Sequence, residues 1–218
     1  MILKKRNKKN VKKRFLVTFT HPDSMISDQF RMIRTNINFL TEEKKHRNIL
    51  ITSTENGEGK STITANLAVS MAQQKEKVLL IDANLRDSNI HKIFKIENNA
   101  GLTNVLTKQV SLEEAVIQSG IGNLDILPSG SVSFNPVEIL ANETVKDLLK
   151  ILVNTYDIVL VDSPSILEFT ESRVLANHCD GVVLVVNRGR TETDNLIEAR
   201  RVLDLAHGNL VGAIFNEI

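Results

Sequence analysis

The stretch Ser53-Thr-Glu-Asn-Gly57-Glu-Gly59-Lys60-Ser61-Thr62 decides the fold. It follows an apolar run, Asn48–Ser53, and opens a helical pattern in which Ile63, Leu67 and Met71 repeat every four residues. Strand, glycine turn and helix in that order make a phosphate-binding loop. Glycines let backbone amides turn inward with no Cβ in the way, and the helix N-terminus adds its positive end. Lys60 is placed to reach the outer phosphates of a nucleotide and the Ser61 hydroxyl to ligate Mg²⁺, with Gly57, Glu58, Gly59 and Thr62 completing the cradle. The strict pattern has a glycine where Thr54 stands, so the loop is of a deviant type.

Further apolar runs lie at Val78–Asp82, Leu124–Leu127, Asp157–Asp162, Gly181–Asn187 and Val211–Phe215. They are short, rich in Val and Ile, and mostly lack polar alternation, as strands buried on both faces do. Helical patterns separate them, among them Leu196, Ala199, Leu203 and Ala206, with Thr191 and Asp194 as a capping-box start. The alternation predicts a doubly wound α/β domain with a mostly parallel sheet, a P-loop nucleotide-binding fold. Asp82 and Asp162 end two of the strands, on the side where such sheets bind ligands, and so are candidates to hold Mg²⁺ with its waters. Asn84 and Arg86 follow in the loop behind Asp82, and Asn216 ends the last strand, where related folds contact adenine.

Before the first strand, Ile26, Phe30, Ile33, Ile37 and Leu40 form a heptad-like stripe across Ser24–Leu40. Asp28, Arg31 and Arg34 lie along its flank, where Asp28 and Arg31 can pair. The 218 residues hold 27 Lys+Arg and 26 Asp+Glu, but residues 1–14 carry eight of the basic ones and no acid. The remainder therefore sits near −7, with 19 basic against 26 acidic residues. A basic N-terminal arm, residues 1–20, is expected ahead of a single domain, 21–218. The arm is either a solvated start or a contact for an anionic surface, the inner membrane leaflet or a nucleic acid. No aromatic residue interleaves its charges before Phe15, which argues against nucleic acid. Without an apolar run of membrane-spanning length or a secretory leader, a cytoplasmic protein is expected. The single cysteine, Cys179, is read as a core residue in a reducing compartment. The histidines (21, 46, 91, 178 and 207) show no metal spacing and are expected at the surface or in loops.

These motifs resemble the bacterial tyrosine kinases of capsular and exopolysaccharide synthesis, the CpsD/CapB family. The resemblance runs from about Ser24 to Glu217 and rests on GEGKST, on LLIDANLR and on YDIVLVDSP. Gly101–Leu106, Leu127–Gly130 and Asn135–Leu140 add lesser matches. It implies ATP and Mg²⁺ as cofactors, phosphoryl transfer to tyrosine, and Asp82 as acceptor of the tyrosine proton, with Arg86 steadying the phosphoryl group. Asp28, Arg31 and Arg34 match the motif through which subunits of that family assemble into a ring. The resemblance also implies activation by the cytoplasmic tail of a membrane-embedded chain-length regulator, hence a place at the inner face of the membrane. Asn84 stands where the family carries a second Asp, and its amide oxygen is expected to face a metal-bound water there; Asp28 stands where the family has Glu, and Ser165 where a second proline is common. The sequence ends Phe215-Asn-Glu-Ile218 and holds one tyrosine, Tyr156, which is read as packing, so transfer is expected in trans to other proteins. Two other readings use the same motifs: an ATP-gated assembly regulator with weakened chemistry, and a positioning ATPase of the ParA/MinD kind. The latter carries a lysine where Glu55 stands here.

Overall fold

Apolar runs without alternation need a cover on each face, and the computed structural model supplies two. It describes residues 16–40, 47–131 and 135–217. The strands are β1 (Arg47–Ser53), β2 (Val78–Asp82), β3 (Ile117–Gln118), β4 (Leu124–Leu127), β5 (Ile158–Asp162), β6 (Gly181–Asn187) and β7 (Leu210–Asn216). Helices α1 (Val17–Thr20) and α2 (Met25–Leu40) precede β1, and α3 (Lys60–Ala72) leads from β1 to β2. Between β2 and β5 lie α4 (Ile90–Phe94), α5 (Leu102–Leu106), α6 (Leu112–Ala115), α7 (Pro136–Ala141) and α8 (Glu143–Thr155). Helices α9 (Thr170–His178) and α10 (Thr193–Leu205) flank β6. The strand order is β3-β4-β2-β5-β1-β6-β7, and only the β3–β4 pair is antiparallel.

Successive residues of each strand feed opposite cores. Ile49, Ile51, Ile158 and Leu160 pack with α1 to α4, while Leu50, Val159 and Val161 pack with α5 to α10. The doubly wound sheet expected from the apolar runs is therefore observed, with the strand bounds shifted by a residue at some ends. The two-residue β3 and the short helices α4 to α7 carry too little periodicity to be read from sequence.

Several local expectations change. Within the stretch assigned to the basic arm, Leu16 and Thr18 are buried. The Thr18 amide and hydroxyl both donate to Asn66 Oδ1 on α3, at 3.1 and 3.0 Å. Residues 1–15, most of the basic arm, lie outside the described residues, as does His46. Along α2 the stripe is buried only in its middle, at Phe30 and Ile37; Ile26 and Leu40, near its ends, are exposed. Helix α10 starts at Thr193 with Glu192 as N-cap and no side-chain cap, so the Thr191–Asp194 box does not form. The Thr191 hydroxyl is spent elsewhere: it accepts from Asn187 N and donates to Glu58. Cys179 is buried, as expected, and burial pushes its thiol well up. Tyr156 is a packing residue whose hydroxyl donates to Asp125 Oδ2 at 3.0 Å, with the Lys77 ammonium over its ring. His21 and His207 are exposed, whereas His91 and His178 are half-buried within α4 and α9 rather than in loops.

Candidate active site

The loop between β1 and α3 turns where its glycines permit. Gly57 and Gly59 take φ of 82° and 87°, left-handed values that a Cβ would strain, and Gly59 caps α3. Thr54, in place of the first glycine, has no positive φ and needs none. Its hydroxyl donates instead to Glu58 Oε1 at 2.9 Å, and Glu55 N donates to Oε2 of the same carboxylate at 3.2 Å. Glu58 is fully buried, so it shapes the loop from within rather than lining the cleft. Asn216 Nδ2 donates to Glu58 O at 2.9 Å, which brings the end of β7 against the loop. Glu55 accepts from Asn195 Nδ2 on α10 at 2.8 Å.

A cleft of about 460 Å³ opens between this loop and the segment after β2, lined by Gly57, Gly59, Lys60, Ser61, Thr62 and Asn84 among others. Asp87, Asn89 and Lys92 line its far wall. Sequence reasoning missed these three; their place past the carboxyl end of β2 is the signal that finds them. Beneath the cleft, Asp82 and Asp162 are register neighbours on β2 and β5, both with no exposure. Burial first, and the Asp162 charge second, hold Asp82 well above the usual carboxylate range. Burial pushes Asp162 up to about 6, against the pull of the Ser61 hydroxyl, the Lys60 ammonium and the Thr64 hydroxyl. Lys60 is itself buried, and desolvation lowers its pKa although Asp162 and Glu58 oppose this.

Asp162 Oδ1 accepts from Thr64 Oγ1 at 3.3 Å, while Oδ2 is buried with no hydrogen-bond partner. An orphaned carboxylate oxygen together with a serine hydroxyl is the oxygen donor set a hard divalent cation takes when phosphates and waters supply the rest. The residues thus fit Mg²⁺. Among the described residues no cluster of three His, Cys, Asp or Glu could hold a metal alone.

Not every expected residue arrives at the cleft. Asp82 lies below it, with Oδ1 accepting from Asn84 N at 3.2 Å and Oδ2 from Ile90 N at 3.1 Å. Asn84 Oδ1 accepts from Asp87 N at 3.2 Å, which folds the loop back on itself. Arg86 turns away: its Nε donates to Glu171 Oε1 at 2.6 Å, and its guanidinium stacks over Phe169, 5.1 Å from the ring centre. It ties the loop to the start of α9 and is not among the cleft's lining residues. On α2, Arg31 pairs with Asp28 as expected, but Arg34 is buried and donates from Nη1 to the Ser70 carbonyl and hydroxyl of α3.

The family model described as an AAA domain matches residues 46–196, which span the loop, both buried aspartates and the α10 turn. Tyrosine-protein kinase YwqD of Bacillus subtilis (strain 168) is 42% identical over 212 residues, covering 97% of this chain and 90% of that protein. The chimerical protein CapA2B2 superposes with a TM-score of 0.89 at 33% identity, covering 94% of this chain and 90% of that one. The kinase domain of Escherichia coli tyrosine kinase ETK gives a TM-score of 0.91 at 28% identity, over 100% of this chain and 84% of that one. A phosphate loop facing paired strand-end aspartates, on a sheet shared along nearly its whole length with these enzymes, places the chain in the family of bacterial protein-tyrosine kinases.

Proposed function

We propose that the chain moves the γ-phosphoryl group of Mg·ATP to tyrosines of other proteins and thereby governs capsular or exopolysaccharide synthesis. The observation that carries the site is the buried, unpartnered Asp162 Oδ2 beside Ser61 and Lys60. Ser61 and Asp162 would hold Mg²⁺, which when bound would neutralise phosphate charge. Gly57, Gly59, Lys60 and Thr62 position the phosphates, and Lys60 draws charge toward the loop as the phosphoryl group leaves. Asp82 accepts the tyrosine proton. Its raised affinity for a proton suits that task, and each of its oxygens, accepting one bond from Asn84 N or Ile90 N, keeps a lone pair for the proton. The reading of Tyr156 as occupied with Asp125 supports transfer in trans.

The motif resemblance supports control by the cytoplasmic tail of a membrane-embedded regulator, and assembly through α2. Among the described residues no helix is long and apolar enough to cross a membrane, so a place at its inner face would come from that partner or from the basic arm. A positioning ATPase is disfavoured by Glu55, whose carboxylate is engaged with Asn195 where such proteins use a lysine.

Radiolabelled ATP with a tyrosine-containing acceptor and a regulator-tail peptide tests the reading. Labelled phosphotyrosine is expected from the natural chain, and none from Lys60→Met. Asp82→Asn should bind Mg·ATP but not transfer. Release of free phosphate without any labelled protein would overturn the kinase assignment for this chain.

A further inference from the structure

We infer that Arg190 is a phosphate-contacting residue for the bound nucleotide, delivered to the loop by a turn that Glu58 and Thr191 lock in place. After β6 the chain runs Arg188-Gly189-Arg190-Thr191. The amides of Arg190 and Thr191 both donate to Asn187 O, at 3.2 and 3.0 Å, and Gly189 takes a φ of 93°. Asn187 N donates to Thr191 Oγ1 at 3.0 Å, which leaves the hydroxyl proton for Glu58 Oε1. That carboxylate is the one that folds the phosphate loop. Turn and loop therefore share one buried anchor, and the Asn195–Glu55 bond fastens them a second time.

The tight turn sets the Arg190 guanidinium over the loop. Its Nη1 lies 3.2 Å from the point a Cβ on Gly57 would occupy. Arg188 is paired with Glu217, but the Arg190 guanidinium has no ion pair or hydrogen bond among the described residues. An exposed guanidinium beside a phosphate loop and without a protein partner is available to a phosphate.

The charge balance points the same way. Asp162, Glu58, Glu168 and Asp87 lie near enough to Lys60 to act on its charge, so the site is rich in carboxylates. A polyphosphate entering that field gains from a cation beyond Lys60 and the metal, and a guanidinium presents a planar fork that suits phosphate oxygens. Arg190 is exposed and does not line the cleft, so it would meet a phosphate at the rim, beside Gly57.

This inference rests on the nucleotide-site reading, so the test separates the two. Calorimetry on the full chain compares Mg·ATP and adenosine for Arg190→Ala, Arg190→Lys, Thr191→Val and Lys60→Met. Loss of a charged hydrogen bond predicts roughly tenfold weaker Mg·ATP binding for Arg190→Ala, with adenosine binding unchanged. Arg190→Lys recovers part of the loss, because charge remains but the fork does not. Thr191→Val shows a smaller loss, since the turn loosens while the guanidinium stays. Unchanged Mg·ATP affinity in Arg190→Ala, or an equal loss for adenosine, would overturn the inference. So would a lowered melting temperature of nucleotide-free Arg190→Ala, which would show that the fold itself uses this side chain. If Lys60→Met also binds Mg·ATP normally, the nucleotide site is the reading that fails.

Discussion

Replacing an amide by a carboxylate at residue 84 changes one charge on the wall of the cleft. Asn84 Oδ1 holds the Asp87 amide, and a carboxylate oxygen can accept the same bond, so Asn84→Asp should fold unchanged. The added charge attracts a divalent cation by on the order of 1 kcal/mol even under water-like screening, about fivefold in affinity. Asn84→Asp is therefore expected to raise transfer about fivefold at limiting Mg²⁺, with little gain at saturating metal. A magnesium titration of the initial rate checks this, and superimposable curves would place residue 84 outside the influence of the metal. Asp82 and Asp162 were legible in the sequence because a strand that ends in an acid announces where that acid will sit. Arg190 and Thr191 were not, because Thr191 meets Glu58 across 133 residues with no periodic pattern to link them.

Helix α2 shows how a correct spacing can mislead. Its apolar repeat predicts one continuous seam, yet only the middle of the helix packs into the core, and Met25, Ile26, Phe39 and Leu40 remain exposed. The arginines three apart also part company: Arg31 stays at the surface with Asp28, and Arg34 turns inward to the last turn of α3. Arg34→Ala should destabilise the folded chain by about 1.5–3 kcal/mol, the range for a lost charged hydrogen bond. Arg31→Ala should cost about 1 kcal/mol or less, as exposed pairs do. Arg31→Ala is thus the cleaner probe of ring assembly, and light scattering at fixed concentration should show a smaller mass with a urea midpoint lowered less than that of Arg34→Ala. Beneath α2, Glu76 lies 3.7 Å from Arg47, whose Nη2 also donates to Asn38. Burial outweighs the pull of Arg47 and Arg34 and raises the Glu76 pKa, while the same burial lowers both arginines. The fold then binds more protons at Glu76 than the unfolded chain does. Its stabilising contribution is complete below the ordinary carboxylate value and fades as pH rises through the raised one. Relative to Glu76→Gln, the natural chain should therefore be most favoured near about pH 4 and least near about pH 8. Urea midpoints of the two proteins that differ by a constant amount across that range would contradict this.

At the scale of the whole molecule, the sheet was legible because strands covered on both faces cannot alternate, and apolar runs are what remains. Strand order was not, since nothing in an apolar run says which neighbour it will choose. The order places β1 between β5 and β6, and β2 between β4 and β5. A fragment ending at residue 150 should therefore lack both partners of β1 and show no cooperative unfolding transition by circular dichroism. Such long-range pairing also predicts slow refolding of the full chain, on the order of milliseconds to seconds or longer after urea dilution. About a hundred residues separate the end of β1 from the start of β5. A ribosome adding about 5–20 residues per second needs some 5–20 seconds to make them. Throughout that interval the phosphate loop has emerged but has no sheet to stand on, and its apolar strand is bare. The nascent chain should accordingly depend on a holding chaperone until β6 clears the exit tunnel, long before any nucleotide can be recognised.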